Sequence, residues 1–131
     1  MIGRSALILI ALAGAAGADE AALELRAETG TIPLPPNTVE AEPSSDMYGQ
    51  PVLMFSMAPN EAAAFGDMTA ANIGRPIEVV VCGEVLTSPV IREMITGGVG
   101  MISGSFTVSE IEELARRINE ADCTDFNAPA S

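Results

Sequence analysis

Cys82 and Cys123 are the only cysteines of the chain, and by type they are its best candidates for covalent chemistry. An even count in an exported protein points to a disulfide. The bridge would close a loop of about 40 residues and remove unfolded-state entropy worth roughly 4 kcal/mol. Two unpaired thiols are the alternative, although no His or Lys stands near either one to favour a thiolate. Two cysteines alone make a poor metal site, and a redox-active pair normally has C-x-x-C spacing. A helix of about 12 residues before Cys123 would span roughly 18 Å. Pairing therefore requires the segment after Ile118 to fold back.

His is absent from the sequence. That excludes Ser-His-Asp and Cys-His machinery, histidine metal sites and the usual neutral-pH proton shuttle. Glu110, Glu112 and Glu113 suggest carboxylate ligands, but in the first turn of a capped helix they are solvated and favoured by the dipole. Asp67 and Glu78 have the types of an acid–base pair, with nothing in the sequence to bring them together. Gly97-Gly98-Val99-Gly100 and Ser103-Gly104-Ser105 are Gly-rich enough to cradle phosphate. No Lys follows them, and the spacing is not that of a P-loop. Tight turns and close packing account for these glycines. Arg75, after a helix end, either holds a carboxylate or neutralises nearby acids. Met54, Met57, Met68, Met94 and Met101 either fill a core or make an adaptable apolar surface. No catalytic residue, metal site or cofactor is expected.

The elements that must position these residues follow from pattern. The 131 residues allow one domain, and 18 acids against 6 arginines give a net charge of −12. Such a chain repels phosphate backbones and anionic membranes, so no nucleic-acid partner is expected. Arg4, the apolar run Ser5 to Leu12 and the small residues Ala16-Gly17-Ala18 read as a secretory signal over 1–18. No later stretch is apolar and long enough to span a membrane. Residues 19–50 read as a short N-terminal strand, Ala22 to Ala27, and a Pro-rich extended linker from Thr31 to Gln50 with no regular structure.

Residues 51–121 carry the compact part. Val52 to Met57 is an apolar run of strand length, and Pro59 opens a helix through Ile73. Ile77 to Cys82 is a β-branched strand, turned at Gly83-Glu84 onto Val85 to Ser88. Pro89 confines that partner to an edge. Ile91 to Ile95 reads as a short helical turn and Met101 to Phe106 as a further strand. Thr107 with Glu110 forms a capping box for a last helix, striped by Ile111, Leu114, Ala115 and Ile118. Glu112–Arg116 and Glu113–Arg117 are i,i+4 pairs. Residues 122–131 read as a tail, frayed from Thr124. The expected class is α+β, a two-layer sandwich with two helices on one face of a small, mostly antiparallel sheet.

Phe65, Met68-Thr69, Asn72-Ile73-Gly74-Arg75, the strand Ile77 to Val81, Gly83, Val85, Ser88-Pro89-Val90-Ile91, Ile95, Gly97-Gly98, Ile102-Ser103-Gly104, Phe106-Thr107, Glu110 and Leu114-Ala115 form one ordered series. It resembles the first periplasmic head subdomain of SecD and SecDF, the membrane subunits that assist protein export. The likeness runs from about Val52 to Ile118. It implies a ferredoxin-like fold, a periplasmic or secreted location and contact with polypeptide. The parent proteins carry transmembrane helices, and none is visible here after residue 18. The family also has Asp-Gly at the strand turn where this chain has Cys82-Gly83, which favours a special use for Cys82.

The expected function is a non-catalytic periplasmic interaction module that binds polypeptide or an envelope protein. Leu86, Ser88, Pro89 and Val90 would form the binding edge by β-augmentation. A periplasmic small-ligand carrier or a His-independent enzyme is the alternative. The signal reading has its own test. Mass spectrometry of the exported protein should find cleavage between Ala18 and Asp19, and a membrane-held form retaining Met1 would contradict it.

Overall fold

The computed structural model describes residues 20–128. The expected signal over 1–18 and its cleavage site lie outside them, as do residues 129–131 of the expected tail. In chain order the elements are β1 (Leu23–Ala27), β2 (Gly30–Leu34), a 3-10 turn (Pro36–Thr38), β3 (Val39–Ser45), β4 (Pro51–Met57), α1 (Pro59–Ala71), β5 (Glu78–Val81), β6 (Glu84–Thr87), β7 (Val99–Ile102) and α2 (Val108–Glu120). The fold is α+β. The strands form two sheets, a four-stranded one in the order β2-β1-β5-β6 and a three-stranded one in the order β3-β4-β7. Every neighbouring pair is antiparallel.

The second sheet exists because residues 31–50 fold, which corrects their reading as an unstructured linker. Prolines misled that reading, and strand parity explains why they are tolerated. In β2 the two-residue loop Glu28-Thr29 makes Ala27–Gly30 a hydrogen-bonded pair. Alternation then leaves Pro33, opposite Glu24, with its nitrogen on the open side. In β3, Thr38 accepts from the Ala58 N–H at 2.9 Å. Alternation from that bond turns Glu40, Glu42 and Ser44 toward β4, while Val39, Ala41 and Pro43 direct their main-chain groups outward. Neither proline removes a ladder bond.

Both helices pack onto one continuous core. Phe65 and Met68 of α1, and Ile111, Leu114 and Ile118 of α2, join Leu23, Leu25, Val79, Leu53, Phe55 and Ile102 from the two sheets. The capping box is formed, with the Glu110 N–H donating to Thr107 Oγ1 and the Thr107 N–H donating to Glu110 Oε1. The Glu113–Arg117 pair forms at 2.7 Å, but Arg116 turns to Glu113, Glu120 and Asp122 rather than to Glu112. Two further expectations are corrected. Residues 91–95 are not a helical turn, because Val90 and Ile91 are drawn into bridges with Pro76 and Ile73. The strand expected over Met101 to Phe106 is β7, ending at Ile102, and Ser103 to Phe106 lead into α2.

The turn between β5 and β6 is Cys82-Gly83, one residue earlier than expected, with φ of 51° and 83°. Positive φ at both centres is what a two-residue hairpin of this kind requires. Gly accepts it freely, and Cys does not. Cys82 is held there by its disulfide to Cys123, across a Cα separation of 5.5 Å. The tail folds back to meet it, which corrects the frayed reading from Thr124. Ala121 takes the left-handed conformation that ends α2. The nearly buried Arg117 then gathers the returning chain. Its Nη1 donates to the carbonyls of Asp122 and Thr124 at 3.0 and 2.7 Å. Its guanidinium lies 5.4 Å from the Phe126 ring centroid, a cation–π contact.

Charge supports the same clasp. The Thr124 N–H and then the Arg116 guanidinium hold the Asp122 carboxyl down at about 2. Hydrogen bonds from Arg116 and then Arg117 lower the Glu113 carboxyl as well. A carboxyl depressed on folding stabilises fully above its unfolded value near 3.8 and loses that contribution as pH falls toward 2. An acid titration with and without reductant tests the clasp. Without reductant no thiol should react with a labelling reagent, and signals of the tail around Phe126 should shift between about pH 4 and 2. With reductant two thiols should react and stability should fall by up to about 4 kcal/mol. One or two reactive thiols in the unreduced protein would contradict the pairing.

Candidate functional site

An apolar cleft of about 380 Å³ opens between the sheets. Its floor is Leu25 and Val79 of the larger sheet and Ile77 just before β5, with Phe55 of β4 and Phe65 of α1. One wall is the connection Pro89 to Ile95, and the other is Gly100 and Met101 of β7. Arg92 and Glu93 are the charged residues that line it. Val90, Met94, Val99 and Met101 are all about half exposed. Isolated apolar residues on a surface are ordinary, but here Val90 and Met101 line the cleft and Met94 and Val99 neighbour it in the chain, a grouping characteristic of binding sites.

The wall of irregular chain is fastened at both ends. The Ile77 N–H donates to Pro89 O at 3.0 Å and the Ile91 N–H to Arg75 O at 2.9 Å, while Ile91 O accepts from the Gly74 N–H at 2.7 Å. Farther along, the Ile95 N–H donates to Thr69 Oγ1 at 2.9 Å. That hydroxyl donates in turn to Gly66 O at 2.9 Å. Thr69 is fully buried, so its hydroxyl clips the wall to α1. The opposite wall depends on Gly100. A Cβ there would stand 2.3 Å from the Phe55 ring, so glycine lets that ring lie against β7 and shape the floor.

The residues expected to bind are split by the structure. Pro89 and Val90 line the cleft. Ser88 is exposed just before them. Leu86 is half-buried and packs against the core, so the apolar residue that β6 exposes is Val85. Three of the other candidate groups are accounted for locally. Glu110 completes the capping box, Glu113 bonds both arginines, and Arg75 pairs with Glu28 at 3.0 Å on the surface. Met68 is core, whereas Met94 and Met101 are exposed. Sequence reasoning placed Thr69 in the family series and Arg117 in a pair with Glu113 but gave neither a tertiary role, and it missed Asn119. Each is a polar side chain on a helix face that otherwise reads as apolar or solvated, and Thr69 sits directly among the apolar positions of α1.

The sheet edges differ in availability. The Ala41 N–H donates to Asn119 Oδ1, and Asn119 Nδ2 donates to Ala41 O, both at 2.8 Å. The side-chain amide thus acts as a short strand that closes the outer edge of β3, next to Pro43. The open side of β2 lacks a donor at Pro33. β6 is four residues long and meets β5 through a bulge at Val79/Val80. β7 ends the smaller sheet at the cleft.

The described residues thus form an α+β domain with a ligand-sized apolar cleft and no helix long and apolar enough to cross a membrane. Residues 35–121 match the family model described as SecDF, P1 head subdomain. The chain belongs to that family. It is 40% identical over 96 residues to the protein translocase subunit SecD of Dictyoglomus turgidum, covering 72% of this chain and 24% of that protein. It is 41% identical over 76 residues to the SecD of Rhodobacter capsulatus, covering 58% of this chain and 14% of that protein. It therefore spans a quarter or less of the length of these two relatives. Among solved structures it resembles SecDF in a super-membrane-facing form, with a TM-score of 0.62 at 33% identity over 70% of this chain and 13% of that one. A SecDF membrane component that enhances protein export matches with the same TM-score and identity, over 70% of this chain and 43% of the other.

Thr69→Val tests the wall. It keeps the shape but leaves the Ile95 N–H without its acceptor, which should lower stability by about 1–3 kcal/mol. Amide exchange should quicken at Ile95, while Thr69→Ser should restore protection. Unchanged exchange in the valine variant would show that the clip does not hold the wall.

Proposed function

We propose that this chain is a non-catalytic periplasmic interaction module of protein export, and that its cleft binds extended polypeptide. The observation that carries the reading is the apolar cleft walled by Pro89 and Val90 beside an exposed sheet edge. Extended chain offers main-chain groups to an edge and alternate apolar side chains to a groove. Kinship with translocase subunits supports the assignment to export, and the signal expected over 1–18 supports the location. Chemistry is not required of the site. The sequence has no His, and Glu110, Glu113 and Glu120 of α2 are engaged in capping and ion pairs.

In this reading Pro89 and Val90 contact the bound chain and Ser88 borders it. Leu86 packs against the core from β6, the strand that leads into Pro89. An envelope protein presenting an extended segment would use the same surface. A small apolar ligand is the second reading, favoured by a volume within the range of ligand pockets. Such sites normally add convergent polar groups, and the charged lining here is Arg92 and Glu93.

Titration of the protein with unfolded exported proteins and with folded controls tests the function. Unfolded clients should bind at micromolar concentration, and folded ones should not. Val90→Lys places a charge on a half-exposed position and should weaken binding at least tenfold with little change in stability. Equal binding to both kinds of client, or none to either, would remove the polypeptide reading.

A further inference from the structure

We propose that the bound polypeptide adds a strand to β7, and that the segment taken is one in which apolar residues alternate with Lys or Arg. This rests on the polypeptide-binding reading and specifies its geometry and client chemistry. Main-chain parity points to β7. The Met57 N–H donates to Gly98 O at 2.8 Å. Alternation from that pair makes Gly98, Gly100 and Ile102 face β4, while Val99 and Met101 direct their N–H and C=O groups to the open side. Among the described residues no hydrogen bond is found for those outward groups. The other edge of the same sheet is occupied by Asn119. β7 is therefore the edge that offers a run of donors and acceptors.

The register also fixes what an added strand would meet. Residues directly opposite Val99 and Met101 would share their exposed face. The residues between would share the face of Gly100 and enter the cleft, against Phe55 and Val90. Apolar side chains are required at the inward positions. On the outer face, Met101 lies beside Met54 and Val99 beside Ser56, and Glu42 and Glu40 follow one strand farther across, on β3. Long cationic side chains at the outward positions can lay their stems on Met101 and Val99 and keep their charges in water toward the acidic side. The net charge of −12 steers such segments in and opposes a second copy of this chain.

The probe is a synthetic heptapeptide alternating Lys and Val, beside an Asp/Val counterpart. The Lys/Val peptide should bind, and it should slow amide exchange at Val99 and Met101. N-methylation of its Lys positions, whose N–H groups would face β7, should weaken binding at least tenfold, whereas methylation of its Val positions should not. Met101→Pro removes an outward donor without touching the β4 ladder and should lose binding, while Met101→Ala should keep most of it. Binding without protection at Val99 and Met101 would overturn strand addition at β7 and leave the polypeptide reading standing. Equal binding of the Asp/Val peptide would overturn the cationic class. Dimers protected at β7 without peptide would assign the edge to a second copy. If neither peptide nor unfolded exported proteins bind, the polypeptide reading itself falls.

Discussion

Ala41 turns its N–H and C=O away from β4, and the amide of Asn119 takes both at 2.8 Å. A main-chain group removed from water without a partner costs about 1–3 kcal/mol, so each strand edge must be met in some way. Much of the architecture follows from how that is done. The prolines of β2 and β3 stand on outward sites, where they delete a donor that would have had no ladder partner. The amide of α2 covers the outward site at Ala41 on β3 and seats the helix against that edge. β7 is left as the edge next to the cleft, and its position is set by Gly98 and Gly100 facing β4.

The two walls of the cleft are built by different means. β7 is held by a ladder, and its closeness to Phe55 requires that Gly100 have no side chain. The wall from Pro89 to Ile95 has no regular structure. Its hydrogen bonds reach back to the chain between Gly74 and Ile77, and to one buried hydroxyl on α1. A wall fastened at separate points can shift more readily than a strand within a sheet, because each bond can open without the others. The half-exposed Val90 rides on this wall, so the apolar lining is adjustable on one side and fixed on the other.

The disulfide belongs to the opposite end of the larger sheet from this logic. Cys82 sits in a backbone conformation that a cysteine adopts only under constraint. The constraint comes from a tail that reverses at Ala121 and is gathered by Arg117. One guanidinium bonds Glu113 and two carbonyls and faces Phe126. These contacts place Cys123 beside the hairpin turn. The bridge and the arginine thus secure the same segment, one covalently and one through hydrogen bonds and charge.

Local pattern alone was enough for much of this. Apolar runs and capping signals identified both helices, the strands from Val52 to Thr87 and the capping box, because those features depend on neighbours within a few residues. Cysteine count and the expected export signal identified the disulfide, and an ordered series of short motifs identified the family. Tertiary structure decided the rest. Pro33 and Pro43 read as breakers until strand parity put their nitrogens on open edges. Leu86 read as a surface anchor until the core claimed it. Thr69, Asn119 and Arg117 have no local signature for what they hold, since their partners lie at Ile95, at Ala41 and in a tail beyond the helix end. Which edge stays open depends on pairings between residues far apart in the chain, and no window of sequence contains both partners.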